Sequence, residues 1–441
     1  MKRLIATAAL AFALLASSSA SGQGLVYQRV PFGSTPNPVG SGARAVGWGG
    51  AFIAVADDAT AASWNPAGLI QLIEPEASVA LSYHSRVEQF AFQGYDTQAD
   101  SASLSGANLN YASAVYPFHI GEVNMVASIN YQRLYEFDRS MEYTASGTNN
   151  LGEDFTAHRK FDQSGGLSTL TPAFAIQVTP AWAMGLSVNF WGLDSTGNGW
   201  DQQFQGDSRT NIGTPTMVQS WFENREEYRF SGANFVIGTH YKIQNLTIGA
   251  VYKTSFEADV KYKAHNEYVQ VSPNNPNLNY GLKFNQNEAE TITWPESYGV
   301  GLAYRYSDRL SFALDGYSTR WSRYMLHVGS QDLNLITGDQ STNVDDTWQV
   351  RGGAEYLWIT PKYVFALRGG LFYDPEPIAN GVSEFYGAAL GGGLVYRNYV
   401  LDAAVQYRFA QDIRGERVEN VQSVTDNQDY FGVLSLIYHF K

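Results

Sequence analysis

Hydrophobic and polar residues alternate along most of the chain after residue 75, with the period of two that is typical of a β-strand with two different faces. The segment 399–410 shows the pattern clearly, because its apolar residues occupy every second position: Leu401, Ala403, Val405, Tyr407 and Phe409. The polar residues between them are Asp402, Gln406 and Arg408. One face of this strand therefore suits lipid, and the other suits a polar interior.

The same alternation predicts fourteen strands. They lie at about 76–91, 103–117, 122–138, 166–179, 181–196, 226–242, 245–263, 288–306, 309–326, 346–358, 362–374, 384–397, 399–410 and 429–440. Short connections such as Thr179-Pro180 alternate with long ones near 139–164, 197–225, 264–287 and 327–345. Short turns on one side and long loops on the other are typical of outer-membrane barrels. We therefore predict an all-β fold, a 14-stranded antiparallel transmembrane β-barrel.

Aromatic residues on the outward faces recur at the spacing of two membrane interfaces. Trp348 and Trp358 share one face of the tenth predicted strand, and Tyr363 and Tyr373 repeat this separation on the next strand. At about 3.3 Å per residue and a tilt near 40°, ten residues span roughly 25 Å along the membrane normal. This is the height of the apolar band between aromatic girdles. A soluble β-sandwich has no reason for this interval.

The N-terminal residues do not alternate. Lys2 and Arg3 precede an apolar run that ends at Ala16, and small residues follow, so residues 1–20 are predicted to be a secretory signal peptide. Residues 21–75 are rich in Ala and Gly and are predicted to form an N-terminal hatch with short helices inside the barrel of residues 76–441. Asp58 is expected to cap one such helix.

A Gly-rich stretch, Gly42–Leu69, contains the turn Asn65-Pro66-Ala67. On this stretch and on the strand count, the chain resembles the FadL/TodX family of outer-membrane channels for hydrophobic compounds. Further matching points are Pro295–Gly299 and the closing Tyr438–Phe440. The resemblance covers nearly all of the mature chain and implies passive uptake of a long-chain fatty acid or an aromatic hydrocarbon. It further implies capture by extracellular loops, binding in the lumen and release gated by the hatch.

The resemblance also gives the hatch turn a role. Asn65, Pro66 and Ala67 are implied to act in gating, because the matching turn of a family member contacts a kinked third strand beside a lateral opening. The third predicted strand, Glu122–Asp138, contains no Gly or Pro, so the residues themselves predict no kink. The first part of that stretch, Gly42–Asp58, is equally similar to PorV-like relatives. An adaptor barrel with partners in protein secretion is therefore the alternative function.

Apolar residues are concentrated in the predicted loop 197–225. Met217, Val218, Trp221 and Phe222 have the spacing of one helical face. With Trp200 and Phe204, they are candidates for an extracellular loop that captures the ligand, since exposed apolar surface often marks an interaction site. The alternative is that these side chains pack the loop onto the barrel rim.

Two arginines, Arg351 and Arg368, lie on neighbouring predicted strands at positions that the alternation assigns to the lumen. A third, Arg44, lies in the hatch. Like charges so placed repel unless an anion lies between them, so the three are candidates for binding a ligand carboxylate. The alternative is an ion network with the lumenal acids, which are Asp315, Glu355 and Asp402.

Composition narrows the remaining functions. The mature chain carries 27 Lys and Arg against 42 Asp and Glu, a net charge of −15, which argues against nucleic acid as a partner. The sequence contains no cysteine, no HExxH motif and no nucleophile elbow. We therefore expect no catalytic residues, no metal and no cofactor. The expected partners are outer-membrane lipid and a small hydrophobic ligand, and the expected state is a monomer.

Overall fold

The computed structural model describes residues 40–440 apart from 93–95, 100–101, 149–151, 194–197, 214–215, 338–339, 341–342, 379 and 419–420. The predicted signal peptide and residues 21–39 of the predicted hatch lie outside the described residues. In the part of the chain that is described, no helix is long and apolar enough to cross a membrane.

Three short helices form the described part of the hatch. They are α1 (Ala43–Gly47), α2 (Ala61–Trp64) and a 3-10 helix (Pro66–Gln71). Because Pro66 excludes the helical conformation from the residue before it, Asn65 is extended and α2 ends. The Asp58 carboxylate accepts from the Thr60 backbone N–H at 2.8 Å. Thr60 is the N-cap residue of α2 and no side chain caps the helix, so the predicted capping by Asp58 is wrong.

Strands make up most of the remaining chain. They are β1 (Glu76–Phe92), β2 (Asp96–Ala99), β3 (Ala102–Ile120), β4 (Val123–Glu136), β5 (Arg139–Thr148), β6 (Asp154–Thr179), β7 (Trp182–Trp191), β8 (Gly199–Asn211), β9 (Met217–Ile243), β10 (Leu246–Lys253), β11 (Phe256–Val271), β12 (Tyr280–Trp294), β13 (Ser297–Arg305), β14 (Leu310–Thr319), β15 (Met325–Val328), β16 (Gln331–Asn334), β17 (Thr347–Ile359), β18 (Val364–Tyr373), β19 (Glu376–Ile378), β20 (Gly381–Ser383), β21 (Tyr386–Tyr396), β22 (Tyr399–Val418) and β23 (Val421–His439). Two further 3-10 turns are Pro276–Leu278 and Trp321–Arg323.

The long strands close into a 14-stranded antiparallel barrel, as predicted. Neighbours in the chain pair with one another, and β1 pairs with β23 to close the ring. Several barrel strands are interrupted, so that each consists of two segments. Barrel strand 3 is β4 with β5, strand 5 is β7 with β8, strand 7 is β10 with β11, and strand 8 is β12 with β13.

Segments predicted as long extracellular loops are largely strands. The loop predicted at 197–225 contains β8 and the start of β9, which pair from Gly199↔Arg229 to Asn211↔Met217. The loop predicted at 139–164 likewise contains β5 and the first part of β6. The physical reason is that neighbouring strands all extend beyond the membrane on its extracellular side. Each extension therefore finds hydrogen-bond partners in the strands on both sides of it.

The two faces of the strands are as the alternation predicts. Val405 on the outward face is 62% exposed, whereas Asp402 on the inward face is 1% exposed. Trp348 and Trp358, the predicted girdle residues, are 59% and 48% exposed. The interior is filled by the hatch and by a large aromatic cluster above it, so the core of this molecule lies inside the barrel.

An arginine at Val405 tests this assignment of faces. We expect Val405→Arg to destabilise the folded barrel by about 2 to 4 kcal/mol, because a charge enters the predicted apolar band near its middle. The matched control is Gln406→Arg, whose side chain points inward and is expected to cost little. The measurement is urea unfolding of both variants in lipid vesicles, and equal destabilisation contradicts the strand register.

Candidate functional site

The hatch is seated on glycines of the barrel wall that face each other across strand pairs. Gly185 of β7 lies opposite Gly238 of β9. A Cβ atom on Gly238 would lie 2.0 Å from Asn65 Oδ1, and one on Gly185 would lie 2.3 Å from the Ala67 backbone nitrogen. Real Cβ atoms do not approach other atoms so closely, so these positions need glycine for the hatch backbone to reach the wall.

Two more glycine pairs repeat this arrangement around the barrel. Gly249 and Gly301 are opposite one another, and the hatch backbone at Ile53 and Ala54 lies against them. Gly353 and Gly370 form the third pair, and the backbone of Trp48 lies against both. We call the three pairs the glycine sockets. Together they hold the hatch backbone against the wall at three places.

Hydrogen bonds fasten Asn65 in its socket. Its Nδ2 donates to the backbone oxygens of Ile53 and Thr239, both at 3.1 Å, and its Oδ1 accepts from the Ala67 N–H at 3.1 Å. Asn65 is fully buried. The turn therefore docks on barrel strands 5 and 6, where the glycines give it room, and the 3-10 helix that begins at Pro66 also contacts β4 of barrel strand 3. A gating role for Asn65, Pro66 and Ala67 stays a prediction.

Barrel strand 3 is broken near its middle. Leu134 is an extra residue in its pairing with β6, and β4 ends at Glu136, two residues before β5 begins. Pairing between β3 and β4 stops at Tyr111↔Gln132. Within the described residues, 102–110 of β3 therefore have no ladder partner on the side of strand 3. We call this unpaired boundary between residues 102–110 and residues 133–138 the wall gap. The Asp138 carboxylate reaches into it, 3.4 Å from where a Cβ atom on Gly106 would lie, and β2 pairs with β5 beside it.

Glycines of the neighbouring strand β6 make this break possible. Gly165 has a φ of 135°, which only glycine adopts readily. Its carbonyl accepts from the Phe137 N–H at 3.0 Å, and its own N–H donates to the Asp138 carboxylate at 3.0 Å. A Cβ atom on Gly166 would lie 2.4 Å from the Tyr135 carbonyl oxygen. The signal for the break was thus in the sequence, at Gly165-Gly166 rather than in strand 3 itself.

A cavity of about 60 Å³ lies between the hatch and the broken strand. The hatch contributes Ala62 and Ser63, and strand 3 contributes Gln132, Leu134 and Tyr135. Its other aromatic walls are Trp191, Phe256, Trp294 and Trp321. The cavity also touches the interruptions of strands 7 and 8, through Lys253, Thr254 and Pro295. Sequence reasoning singled out none of these residues for binding.

The aromatic cluster continues outward from the cavity. Tyr135 packs against Trp294 with ring centroids 5.0 Å apart, and Phe137 packs against Trp200 at 5.2 Å. Trp200 in turn stacks on Tyr228 at 4.6 Å. A continuous cluster of packed apolar rings therefore extends from the extracellular strand extensions to the cavity.

The predicted capture residues do not share a face. Because Met217, Val218, Trp221 and Phe222 lie in β9 rather than in a helix, residues of odd and even number point in opposite directions. Phe222 is buried against Phe204, with ring centroids 5.0 Å apart, whereas Trp221 is 39% exposed on the outside. The helical face was a wrong prediction. Whether Trp200, Phe204 and Phe222 capture a ligand stays a prediction.

All three candidate arginines contact carboxylates of the protein. Arg368 donates to Glu355 at 2.6 Å and to Asp402 at 2.5 Å. Arg44 pairs with Asp57 and lies 3.5 Å from Glu355. These contacts are those of the ion-network alternative. In the hatch, burial raises the pKa of Asp57, and the nearby Arg44 guanidinium opposes that rise.

Arg351 has a different set of partners. It donates to the Gly49 carbonyl of the hatch at 3.2 Å and to Gln349 Oε1, and it lies 3.4 Å from Asp374. Its ladder partner is Phe372, four residues from Arg368, so the two guanidinium groups are neither opposite nor diagonal. No shared anion is therefore needed to hold them together. Ligand binding by Arg44, Arg351 and Arg368 stays a prediction.

A family model for outer-membrane transport proteins of the OMPP1/FadL/TodX type matches residues 39–424. The chain belongs to this family. It is an outer-membrane β-barrel of the FadL/TodX type, and the predicted family, fold and location are confirmed. The family consists of transport channels for hydrophobic compounds rather than enzymes. No curated protein matches the sequence.

Several solved structures share the fold at low sequence identity. A Pseudomonas aeruginosa FadL homologue is 15% identical, with a TM-score of 0.60 over 91% of this chain and 99% of that one. The P. putida toluene transporter TodX is 14% identical, with a TM-score of 0.60 over 92% and 99%. The Ralstonia pickettii toluene transporter TbuX is 16% identical, with a TM-score of 0.52 over 92% and 100%.

Proposed function

We propose that this FadL/TodX-type barrel takes up small hydrophobic molecules passively and releases them sideways through the wall gap. The ligand enters along the aromatic cluster, binds in the cavity above the hatch and leaves between barrel strands 2 and 3. Such molecules need a dry path, because water in an open pore does not attract them. Capture at the outer end is assigned to Trp200, which belongs to the aromatic cluster, and to Phe204 and Phe222, which pack against each other on the same extracellular strand extensions.

One observation carries this proposal: the cavity is lined by the same residues that break the wall. Gln132, Leu134 and Tyr135 line the cavity, and pairing between strands 2 and 3 ends at Gln132. A ligand in the cavity is therefore one side-chain layer from the wall gap. The alternative function, a PorV-like adaptor, gives no reason for a cavity beside a break in the wall.

The glycine sockets favour lateral release over release gated by the hatch. Hatch movement requires Asn65 to give up buried hydrogen bonds to Ile53 and Thr239. Hatch movement also breaks two hydrogen bonds that the Asp315 carboxylate accepts, from the backbone N–H of Phe52 at 2.6 Å and from that of Ile53 at 2.8 Å. Each such buried group left without a partner costs about 1 to 3 kcal/mol. A fixed hatch and an open wall avoid these costs.

The arrangement of charge favours neutral aromatic compounds over fatty acids. Two of the structural neighbours are described as toluene transporters. In this chain, the lumenal arginines that were candidates for holding a fatty-acid carboxylate contact protein acids instead. We therefore assign the cavity to a single-ring aromatic ligand and treat a long-chain fatty acid as the second candidate.

Deletion of Leu134 tests the route. Because Leu134 is the extra residue, its removal leaves the pairing of Arg133 with Ser168 and of Tyr135 with Leu167 unchanged and straightens the strand. We expect the variant to fold, and uptake of radiolabelled toluene by cells that express it to fall at least tenfold.

The matched control is deletion of Val178, the extra residue near the other end of β6. It removes a bulge of the same kind far from the wall gap, and uptake is expected to stay within twofold of the unmodified protein. Normal uptake by the Leu134 deletion, with correct folding shown by heat-dependent gel mobility, refutes lateral release.

A further inference from the structure

Two amide groups in the cavity have orientations fixed by neighbours that can only donate. Asn234 Oδ1 accepts from the Trp191 indole N–H at 2.9 Å and from Asn189 Nδ2 at 3.1 Å. An indole nitrogen cannot accept a hydrogen bond, so the oxygen of Asn234 must face Trp191. Its Nδ2 therefore faces away. Among the described residues, this nitrogen has no hydrogen-bond partner, and Asn234 lines the cavity.

Gln349 repeats this arrangement from another barrel strand. Its Oε1 accepts from Arg351 Nε at 3.1 Å and from Nη2 at 3.0 Å. A guanidinium group has no acceptor, so the amide oxygen must face Arg351 and Nε2 must face the other way. Gln349 is 2% exposed and lines the same cavity, and its Nε2 has no partner within the described part of the chain.

We propose that the cavity binds an oxygenated single-ring aromatic compound, an aromatic ketone, aldehyde or ester, whose oxygen accepts from Asn234 Nδ2 and Gln349 Nε2. The inference rests on the proposed uptake function and names its substrate class. The ring lies among Trp191, Phe256 and Trp294, which line the cavity beside the two amides. Trp191, Phe256 and Trp294 pack against one another, so they offer a ligand ring a wall of aromatic edges and outer faces.

Energetics separate this class from plain hydrocarbons. A hydrocarbon in the cavity removes water from both amide nitrogens and offers no acceptor, so each buried N–H group is left without a partner. Sites built to hydrogen-bond a substrate therefore reject analogues that lack the polar group far more strongly than apolar pockets reject a changed methylene. An acceptor oxygen on the ring satisfies the donors and keeps the aromatic contacts.

The cavity in its present form is small for a ring. Engineered apolar cavities that hold benzene are about 150 Å³, measured in a comparable way, against about 60 Å³ here. A bound ring therefore requires side chains that line the cavity to move apart. The amides stay in place during this movement, because Trp191 and Arg351 hold them.

A pair of ligands with nearly the same shape tests the inference. Acetophenone has a carbonyl oxygen at the position where α-methylstyrene has a methylene group. Binding of each to the full chain in lipid nanodiscs is measured by quenching of tryptophan fluorescence, with empty nanodiscs as the blank. We expect acetophenone to bind at least tenfold more tightly than α-methylstyrene.

Two isosteric variants assign the preference to the amides. Asn234→Asp and Gln349→Glu keep the oxygen that accepts from Trp191 or Arg351 but replace the NH₂ donor by a second acceptor. Each is expected to weaken acetophenone binding at least tenfold and to leave α-methylstyrene binding within threefold. Asn427→Asp is the control, because Asn427 is a buried lumenal amide that does not line the cavity. It is expected to leave both affinities unchanged.

The outcomes separate this inference from the proposed function. Equal affinity of the unmodified protein for the two ligands overturns the oxygenated substrate and leaves uptake of hydrophobic molecules standing. Binding of neither ligand overturns both. A preference for acetophenone that survives in Asn234→Asp and Gln349→Glu, with unchanged melting temperatures, overturns the assignment of the two donors.

Discussion

Replacing Gly238 by valine is expected to open the barrel. The new side chain occupies the position of Asn65 Oδ1, which lies 2.0 Å from where its Cβ must stand, and it also meets Pro66 Cδ at 2.9 Å. The strand backbone is held by its ladder with Gly185, so the hatch turn has to leave its socket. Asn65 then loses its buried bonds to Ile53 and Thr239. A 14-stranded barrel without its hatch encloses a wide, water-filled lumen.

The measurement is single-channel conductance in planar bilayers. Gly238→Val is expected to show large, frequent openings that approach those of a variant lacking Gly42–Leu69. Gly316→Val is the matched control, since a Cβ atom there meets only a backbone oxygen at 3.9 Å. It is expected to behave like the unmodified protein. If deletion of Gly42–Leu69 leaves the conductance unchanged, the segment does not block the lumen, and the function of the glycine sockets is refuted with it.

The faces of the strands could be predicted from sequence because lipid imposes them. An outward side chain within the apolar band contacts only lipid, so Val405 and Leu401 must be apolar. Asp402 between them must therefore point inward. The same pressure spaces Trp348 and Trp358 by the thickness of the apolar band. Hence the number of barrel strands, and which residues of each strand face lipid or the lumen, could be predicted from the local pattern alone.

Beyond the membrane this pressure ends, and local pattern becomes ambiguous. Met217, Val218, Trp221 and Phe222 satisfy the spacing of a helical face, yet they lie in β9. Ladder partners in β8 and β11 decide the outcome, and those in β11, such as Tyr268 opposite Phe222, are distant in sequence. Short apolar groups do not distinguish the two periods without knowledge of such partners.

The break in barrel strand 3 was hidden for a similar reason. A search for Gly or Pro within Glu122–Asp138 finds none, because the residues that allow the break, Gly165 and Gly166, lie in the next strand. The glycine sockets are likewise visible only once the strands are in register, since Gly185 and Gly238 are separated by 53 positions in the chain and directly opposite in the wall. Sites that are assembled from several strands can be predicted only when the register of those strands is known.

Replacing Arg368 by methionine is expected to destabilise the barrel strongly and to affect all ligands alike. The guanidinium group lies 2.6 Å from Glu355 and 2.5 Å from Asp402, and all three side chains are buried. Removing the cation leaves two buried carboxylates without it, a change that typically costs about 3 to 5 kcal/mol. Arg44 is 3.5 Å from Glu355 and compensates for only one of the two acids.

Arg351→Met is the comparison that separates structure from ligand binding. Arg351 lies near two acids, Asp374 at 3.4 Å and its ladder partner Asp315. Asp374 also lies 3.2 Å from Arg408, and Asp315 also accepts from two backbone N–H groups of the hatch, so loss of Arg351 is expected to cost less stability. The measurements are the melting temperature and calorimetric titration of oleate and of toluene into each variant. A lowered melting temperature without selective loss of oleate binding is the expected result for both.

The opposite result changes the substrate. In that result, either variant keeps its stability and its toluene binding but loses about 1.5 to 3 kcal/mol of oleate binding free energy, which is the contribution of a hydrogen bond to a charged group. The replaced arginine then holds the carboxylate of the ligand. A fatty acid then takes the place of the single-ring aromatic ligand. The protein acids beside Arg368 argue against this outcome, because an incoming carboxylate has to compete with Glu355 and Asp402, which are already in place and repel it.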